Sequence, residues 1–231
     1  LDAARQADVL AEAGEVDRAA GDRALRGDHD QLEPARQRVD QAEPGAVEVS
    51  ELRDVEDEPL GTGGAIRNVA GTLRADTVMV FNGDILSGLD LSALLATHHV
   101  NNADVTLHLV RVADPRAFGS VPTDPTGRVQ AFLEKTDNPP TDQINAGCYV
   151  FRRSVVESIP SGRVVSVERE TSPGLLAAGA RVFGHVDSSY WLDLGTPAAF
   201  VRGSADLVTG IAPTDALPGS VGAALVLPGA D

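Results

Sequence analysis

The sequence has one cysteine, one lysine and no long apolar run. With Cys148 alone, no intrachain disulfide can form, which fits a reducing compartment. Apolar runs such as 223–227 are far shorter than the ~20 residues that cross a bilayer. The first ten residues lack the basic and apolar parts of a secretory signal. We therefore expect a cytoplasmic protein.

Positive charge is also scarce. Lys and Arg total 19 against 34 Asp and Glu, which gives a net charge of −15. Such a surface repels nucleic-acid backbones and anionic lipids, so we expect neither a nucleic-acid nor a membrane partner. A small anionic ligand would need a local device, such as a metal ion, a helix N-terminus or a few basic side chains.

The first 50 residues contain nine Leu or Val and no Ile, Phe, Met, Trp or Tyr. This composition favours local helix but offers little apolar surface for a core. We interpret residues 1–54 as an atypical, loosely helical or disordered segment. The compact domain is then 55–212, and residues 213–231 form a short tail.

After residue 55, strand-like apolar runs alternate with helix-like stretches. This alternation predicts an α/β fold in which helices cover both faces of a sheet. The predicted strands are 78–81, 104–110, 128–134, 146–151, 181–186 and 189–194, and the predicted helices are 64–73, 91–99, 152–159 and 197–208.

Two carboxylates follow predicted strands. Asp84 ends VFNGD, and Asp193 lies in YWLDLGT. Ligands of open α/β sheets bind beyond the carboxyl ends of the strands. Mg²⁺ prefers oxygen ligands and is usually bound by one or two carboxylates together with substrate phosphates. If the sheet brings them together, the two acids could share one ion. The alternatives are a turn at Asp84 and a helix cap at Asp193, although Thr196 is the better placed cap.

Lys135 stands out because the other 18 basic side chains are arginines. A lysine binds phosphate as a compact point charge, and the alternative is an ordinary surface residue. The stretch LGTGGAI at 60–66 is a glycine-rich turn that opens a helix. Its N–H groups could hold an anion or a base edge, or could simply start the helix. The amide of Asn145 suits sugar hydroxyls, and Gly119 allows close backbone approach.

Taken in this order, these stretches resemble the sugar-1-phosphate nucleotidyltransferases, and within them the mannose-1-phosphate guanylyltransferases. The resemblance covers roughly residue 55 onward. The matching stretches are EPLGTGGAI (58–66), VFNGD (80–84), FG (118–119), FLEK (132–135), NAGCYVF (145–151), SVERE (166–170) and YWLDLGTP (190–197). The tail is similar to the first coil of a left-handed β-helix.

The resemblance implies a Rossmann-like sheet, mixed and mostly parallel. It also implies an Mg²⁺-dependent transfer of a nucleotidyl group from an NTP, with GTP favoured, to a sugar 1-phosphate. A glucose-1-phosphate thymidylyltransferase-type activity and a homo-oligomer remain open. The implied roles are nucleotide contacts from Leu60, Gly61, Thr62 and Gly63, metal binding by Asp84 and Asp193, sugar contacts from Gly119, Glu134, Asn145, Gly147 and Glu170, and phosphate binding by Lys135.

One departure concerns residues 1–54. The family carries a Gly-rich, Arg-containing loop, GxGTRLxPxT, followed by a Lys-Pro pair that meets the triphosphate. No stretch of residues 1–54 matches it. A frameshift, a truncation or a replaced N-terminus would explain this, and each predicts impaired activity and a missing first strand. The rival interpretations are a non-catalytic remnant and an NAD-linked Rossmann enzyme, which acidic VEDEP ahead of the glycines disfavours.

Overall fold

The computed structural model describes residues 7–11, 56 and 58–214. Five strands form the central sheet in the order β1-β2-β5-β4-β6, and two short strands, β3 and β7, form a separate ladder. The strands are β1 (Ala7–Ala11), β2 (Thr77–Asn82), β3 (Ile85–Ser87), β4 (Val105–Arg111), β5 (Gln143–Arg152), β6 (Val182–Asp187) and β7 (Trp191–Asp193).

Five α-helices accompany these strands in the described residues: α1 (Gly61–Asn68), α2 (Leu91–Val100), α3 (Arg153–Ser158), α4 (Ser172–Ala177) and α5 (Pro197–Val208). A 3₁₀ turn at Val69–Thr72 extends α1, another spans Pro115–Ala117, and a π-helical turn at Val167–Thr171 leads into α4. The hydroxyl of Thr196 caps α5 by accepting from Ala199 N, as predicted.

The sheet is mixed and flanked by helices, which confirms the α/β prediction. The expectation of a mostly parallel sheet does not hold for the described strands, because only β4 and β6 pair in parallel. The cause lies in the connection from β4 to β5. Arg111 at the end of β4 pairs with Gln143 at the start of β5. The chain therefore re-enters the sheet at the end where it left, and it must run back antiparallel.

Two further predictions need correction. The predicted strand at 128–134 forms only isolated bridges, because Arg128, Val129 and Leu133 pair with three different partners. Residues 7–11, expected to be loosely helical or disordered, instead form β1, which pairs antiparallel with β2 at the sheet edge. Such pairing needs only backbone groups, so a poor core composition does not prevent it. No Gly-rich loop follows β1, so the loss of the family's own first strand stays a prediction. The rest of the 1–54 segment and the tail after Thr214 lie outside the described residues.

Each face of the sheet buries its own apolar cluster. One face carries Leu107, Tyr149 and Phe151 beneath α1 and α3. The other carries Met79, Cys148 and Val150 beneath α2. The alternation of these residues along β5 is the period of two that a doubly covered strand requires. No helix in the described residues has the length and apolarity of a membrane span.

Candidate active site

The two predicted acids lie at the same end of the β3–β7 ladder, Asp84 in the turn just before β3 and Asp193 as the last residue of β7. Ile85 in β3 stands opposite Asp193 in β7, and Leu194 N donates to the Asp84 carbonyl oxygen at 2.8 Å. The ladder thus joins two residues more than 100 positions apart. It lies beyond the end of β2 and is separate from the central sheet, whereas we expected both acids at one edge of a single sheet.

The donor set suits a hard cation. Both carboxylates are half-buried, and Asp193 uses its Oδ1 to accept from Gly195 N at 2.7 Å. The described residues contain no group of three or more acidic, His or Cys side chains that could hold a metal ion. Two carboxylates fit Mg²⁺, which takes one or two protein carboxylates and completes its shell with phosphate oxygens and water.

Gly147 brings the Asn-Ala-Gly stretch of β5 against this ladder. Its φ is +81°, and a Cβ there would lie 2.9 Å from Asn82 Nδ2 and 3.0 Å from Ile85 Cγ1. Only glycine combines the left-handed backbone with so close an approach. The NAG stretch of β5 is thereby held beside the VFNGD stretch that ends β2.

The NAG stretch lies next to two other predicted stretches, YWLDLGTP and FG. Trp191 Nε1 donates to the Ala146 carbonyl oxygen at 3.0 Å. The rings of Trp191 and Phe118 meet edge to face at 5.8 Å, which brings the Phe-Gly turn to the same place. A Cβ on Gly119 would lie 2.7 Å from the Leu133 carbonyl oxygen, so the turn packs directly on the FLEK stretch.

The glycine-rich turn starts α1, as predicted, but its glycines pack against Val165. Gly63 N and Gly64 N both donate to the Val165 carbonyl oxygen, at 2.8 and 3.3 Å. A Cβ on Gly61 would lie 2.8 Å from that oxygen. These two N–H groups are therefore not available to an anion or a base edge, which narrows the expectation to the other groups of the turn. Nucleotide contacts from Leu60, Gly61, Thr62 and Gly63 remain a prediction.

Glu134 and Lys135 lie at the surface. Glu134 Oε1 is 3.3 Å from Arg169 Nε, and both side chains are exposed. Lys135 is exposed and has no ion pair within the described part of the chain. Their predicted contacts with the sugar and its phosphate remain predictions.

The acids of SVERE face different ways. Glu170 lies at the surface and accepts from Arg163 Nη1 at 2.8 Å, and this hydrogen bond is the main reason that the pKa of Glu170 is lowered. Glu168 is half-buried and accepts from the Tyr149 hydroxyl at 2.9 Å. The family resemblance places Glu170 at the sugar pocket, but the side chain that contacts the NAG strand is that of Glu168.

Tyr149 is the residue that sequence reasoning missed. It is fully buried, and its hydroxyl accepts from Asn145 Nδ2 at 2.5 Å. A signal was present, because Asn145, Gly147 and Tyr149 alternate along one strand and so share a face.

A family profile described as "Nucleotidyl transferase" matches residues 28–210. The mannose-1-phosphate guanylyltransferase of Mycobacterium tuberculosis is 68% identical over 176 residues, which are 76% of this chain and 49% of that protein. The mannose-1-phosphate guanyltransferase of Yarrowia lipolytica is 34% identical over 65% of this chain and 42% of that protein. The chain thus spans about half the length of the curated relatives it matches.

Among solved structures, HddC from Yersinia pseudotuberculosis superposes with a TM-score of 0.56 at 29% identity, over 64% of this chain and 62% of that chain. HddC complexed with GMP-PN superposes with a TM-score of 0.55 over the same shares of both chains.

Proposed function

The chain belongs to the nucleotidyl transferase family, and from that premise we propose that it transfers GMP from GTP to mannose 1-phosphate. The products are GDP-mannose and pyrophosphate. The high identity to the mycobacterial guanylyltransferase supports the choice of base and sugar, as does the guanine nucleotide analogue bound to HddC. A cytoplasmic location is part of the proposal.

The observation that carries the proposal is the convergence of separate stretches at the end of β2. The β3–β7 ladder with its two acids, the NAG stretch of β5 and the Phe118–Trp191 contact all meet there, although they come from four parts of the sequence. Such a meeting of polar groups around one strand end is typical of a binding site in an α/β fold.

In this reaction a sugar phosphate oxygen attacks the α-phosphorus of GTP, and pyrophosphate leaves in line. Catalysis then rests on positioning and on neutralising phosphate charge. Asp84 and Asp193 would hold a divalent cation, and that ion supplies the positive charge which the phosphates need. The ammonium of Lys135 offsets the charge of the attacking phosphate. Asn145 and the Gly147 backbone orient the sugar ring.

We also propose that this chain is slow. Residues 1–54 contain no match to the Gly-rich, Arg-containing loop with which the resembled family meets the triphosphate. The loss of one electrostatic contact to a transition state typically costs ~10²–10³ in rate. The absence of a whole loop should cost more.

The test is pyrophosphate release with Mg²⁺, comparing GTP plus mannose 1-phosphate against dTTP plus glucose 1-phosphate. We expect measurable release with the first pair only. Calorimetry then follows mannose 1-phosphate binding to wild type, Lys135→Ala and Lys135→Arg. If Lys135 meets the phosphate, the Ala variant binds ~10- to 150-fold more weakly, since each 1.4 kcal/mol is tenfold. The Arg variant should recover part of the loss.

Release with the thymidylyl pair alone would replace guanylyl transfer with the thymidylyltransferase-type reaction. Absence of release with either pair, together with absence of nucleotide binding, would favour a non-catalytic remnant. Equal affinity for wild type and Lys135→Ala would remove Lys135 from the site.

A further inference from the structure

A chain of hydrogen bonds joins the glycine-rich turn to the NAG stretch of β5 through the interior of the domain. Thr62 Oγ1 donates to Glu168 Oε2 at 3.2 Å, and the Tyr149 hydroxyl donates to Glu168 Oε1 at 2.9 Å. Asn145 Nδ2 in turn donates to the Tyr149 hydroxyl at 2.5 Å. We call these four residues the asparagine network.

The donor inventory sets the direction of every bond in this network. A carboxylate has no proton to give, so Glu168 can only accept, and the single hydroxyl proton of Tyr149 must point to it. The Tyr149 oxygen can then only accept from Asn145, which fixes the amide nitrogen on that side. Asn145 Oδ1 accepts from Gly147 N at 3.1 Å, which independently demands the same amide orientation.

The orientation leaves Asn145 with defined free capacity. One Nδ2 hydrogen goes to Tyr149 and one Oδ1 lone pair receives Gly147 N–H, so one donor and one acceptor remain for a ligand. A sugar hydroxyl both donates and accepts. Held in this way, the amide offers a fixed donor and acceptor pair.

The far end of the network lies in the glycine-rich turn. Thr62 Oγ1 accepts from Val167 N at 3.0 Å while donating to Glu168. Ser166 Oγ donates to the same Glu168 oxygen at 2.9 Å. A shift of the turn at the start of α1 therefore acts on Glu168, and through Tyr149 on the amide of Asn145.

We propose that Tyr149 and Glu168 are positioning residues: they fix the Asn145 amide for the sugar and couple it to the turn that carries Thr62. This inference rests on the proposed function for the identity of the ligands. The geometry of the network itself is independent of that function.

The central test is Tyr149→Phe, which keeps the buried ring and removes only the hydroxyl. We expect the KM for mannose 1-phosphate to rise ~10-fold, the change that ~1.4 kcal/mol produces, with the KM for GTP within about twofold of wild type. Glu168→Ala should raise the KM for mannose 1-phosphate by a similar factor. Glu168→Gln should recover most of the affinity, because its amide oxygen can still accept from Tyr149.

The chain provides a matched control in its other tyrosine. The Tyr190 hydroxyl donates to Asp206 Oδ2 at 2.7 Å, which is the same kind of bond outside the network. Tyr190→Phe should leave the KM for mannose 1-phosphate within about twofold of wild type. An equal rise in both variants would overturn the proposal, as would an unchanged KM in Tyr149→Phe.

Coupling is tested by a cycle of Thr62→Val and Tyr149→Phe, measured as KM for mannose 1-phosphate. Since both act through Glu168, the double variant should be no worse than Tyr149→Phe by more than about twofold. Multiplied effects would show two independent contributions and would overturn the coupling.

A measurement without ligands separates this inference from the proposed function. In a ¹⁵N-labelled protein the Asn145 side-chain amide, assigned through Asn145→Asp, should exchange slowly in wild type and Tyr190→Phe, and rapidly in Tyr149→Phe. An unchanged amide in Tyr149→Phe overturns the network even if the enzyme is active. Wild type that shows the expected exchange but no nucleotidyl transfer contradicts the proposed function alone.

Discussion

The two faces of the central sheet each bury a polar cluster, and the clusters differ in how fully their groups are paired. On the face beneath α1 and α3, every bond of the asparagine network has a defined donor and acceptor. On the face beneath α2 lies a histidine layer formed by His98, His108 and His185. His98 Nδ1 lies 3.0 Å from Thr106 Oγ1, and His185 Nδ1 lies 2.8 Å from Thr97 Oγ1.

His108 makes this layer incomplete. It is fully buried, neither ring nitrogen has a hydrogen bond within the described residues, and Nε2 stays 3.6 Å from Asp187 Oδ2. A fully paired network can fix one orientation of a side chain, whereas an unpaired buried group costs stability. We therefore expect the polar groups of the first face to affect ligand binding, and those of the second face to lower the free energy of unfolding in a pH-dependent way.

The largest expected effect separates function from stability. Asp193→Asn keeps the Oδ1 that accepts from Gly195 N and removes only the charge beside Asp84. We expect kcat/KM to fall ~10²–10³-fold with little change in the melting temperature. Asp90→Asn makes the same change at the cap of α2, where Oδ1 accepts from Ser92 N and Ala93 N. A similar fall in that control would show that the loss at Asp193 is not specific to the site.

The next prediction concerns the histidine layer and pH. Burial is the main cause that lowers the pKa of His98 and His108 from 6.5 to about 4. The unfolded chain therefore binds protons first as pH falls. Stability should drop between pH ~6.5 and ~4, by up to ~3 kcal/mol per histidine, and only this histidine contribution levels off below pH ~4. Urea unfolding at several pH values measures this.

His108→Leu tests that assignment directly. It removes one of the two titrations and also the unpaired nitrogens, so the stability profile should be flatter between pH 6.5 and 4. Burial acts to raise the pKa of Asp104, but hydrogen bonds from Arg181 outweigh it and lower the pKa below its usual 3.8, so the stabilisation by Asp104 is lost only below this window. A profile as steep as that of wild type would contradict the prediction.

A smaller effect tests the close approach at the site. Gly147→Ala must place a Cβ 2.9 Å from Asn82 Nδ2 at a φ of +81°. Gly162→Ala has a similar φ of +71° with no atom within 4 Å. The second variant should lose ~1 kcal/mol for the left-handed backbone, and the first should lose ~2 kcal/mol more for the crowding. Denaturant unfolding measures both losses of stability, and equal losses in the two variants would mean that Gly147 does not lie in close contact with Asn82.

The smallest effect distinguishes the two acids of SVERE. Glu170→Gln removes the charge from an exposed ion pair with Arg163 and should leave the free energy of unfolding almost unchanged, because exposed ion pairs add little to stability. We expect its KM for mannose 1-phosphate to stay within about twofold of wild type, whereas Glu168→Ala raises it. A larger effect at Glu170 would return the sugar contact to the residue that the family resemblance names.

Several parts of the molecule were readable from local pattern alone. The strands near 78–81 and 104–110 and the helix at 197–208 match β2, β4 and α5, because each combines a clear period with a clear boundary such as Pro197. The glycine-rich turn was placed correctly at the start of α1. The packing of its glycines on Val165 was not predictable in this way, because that contact joins residues about 100 positions apart.

The sequence by itself determined the family and the α/β class, because the order of short motifs and the period of apolar residues are local properties; the metal role of Asp84 and Asp193 stays a prediction. Only the tertiary structure decided the antiparallel direction of β5, the separate Asp84–Asp193 ladder and the role of Glu168 over Glu170 in contacting Tyr149. These depend on strand register and on side-chain direction across long separations. Register is decided by which face of each strand is buried and by the connection that joins the strands.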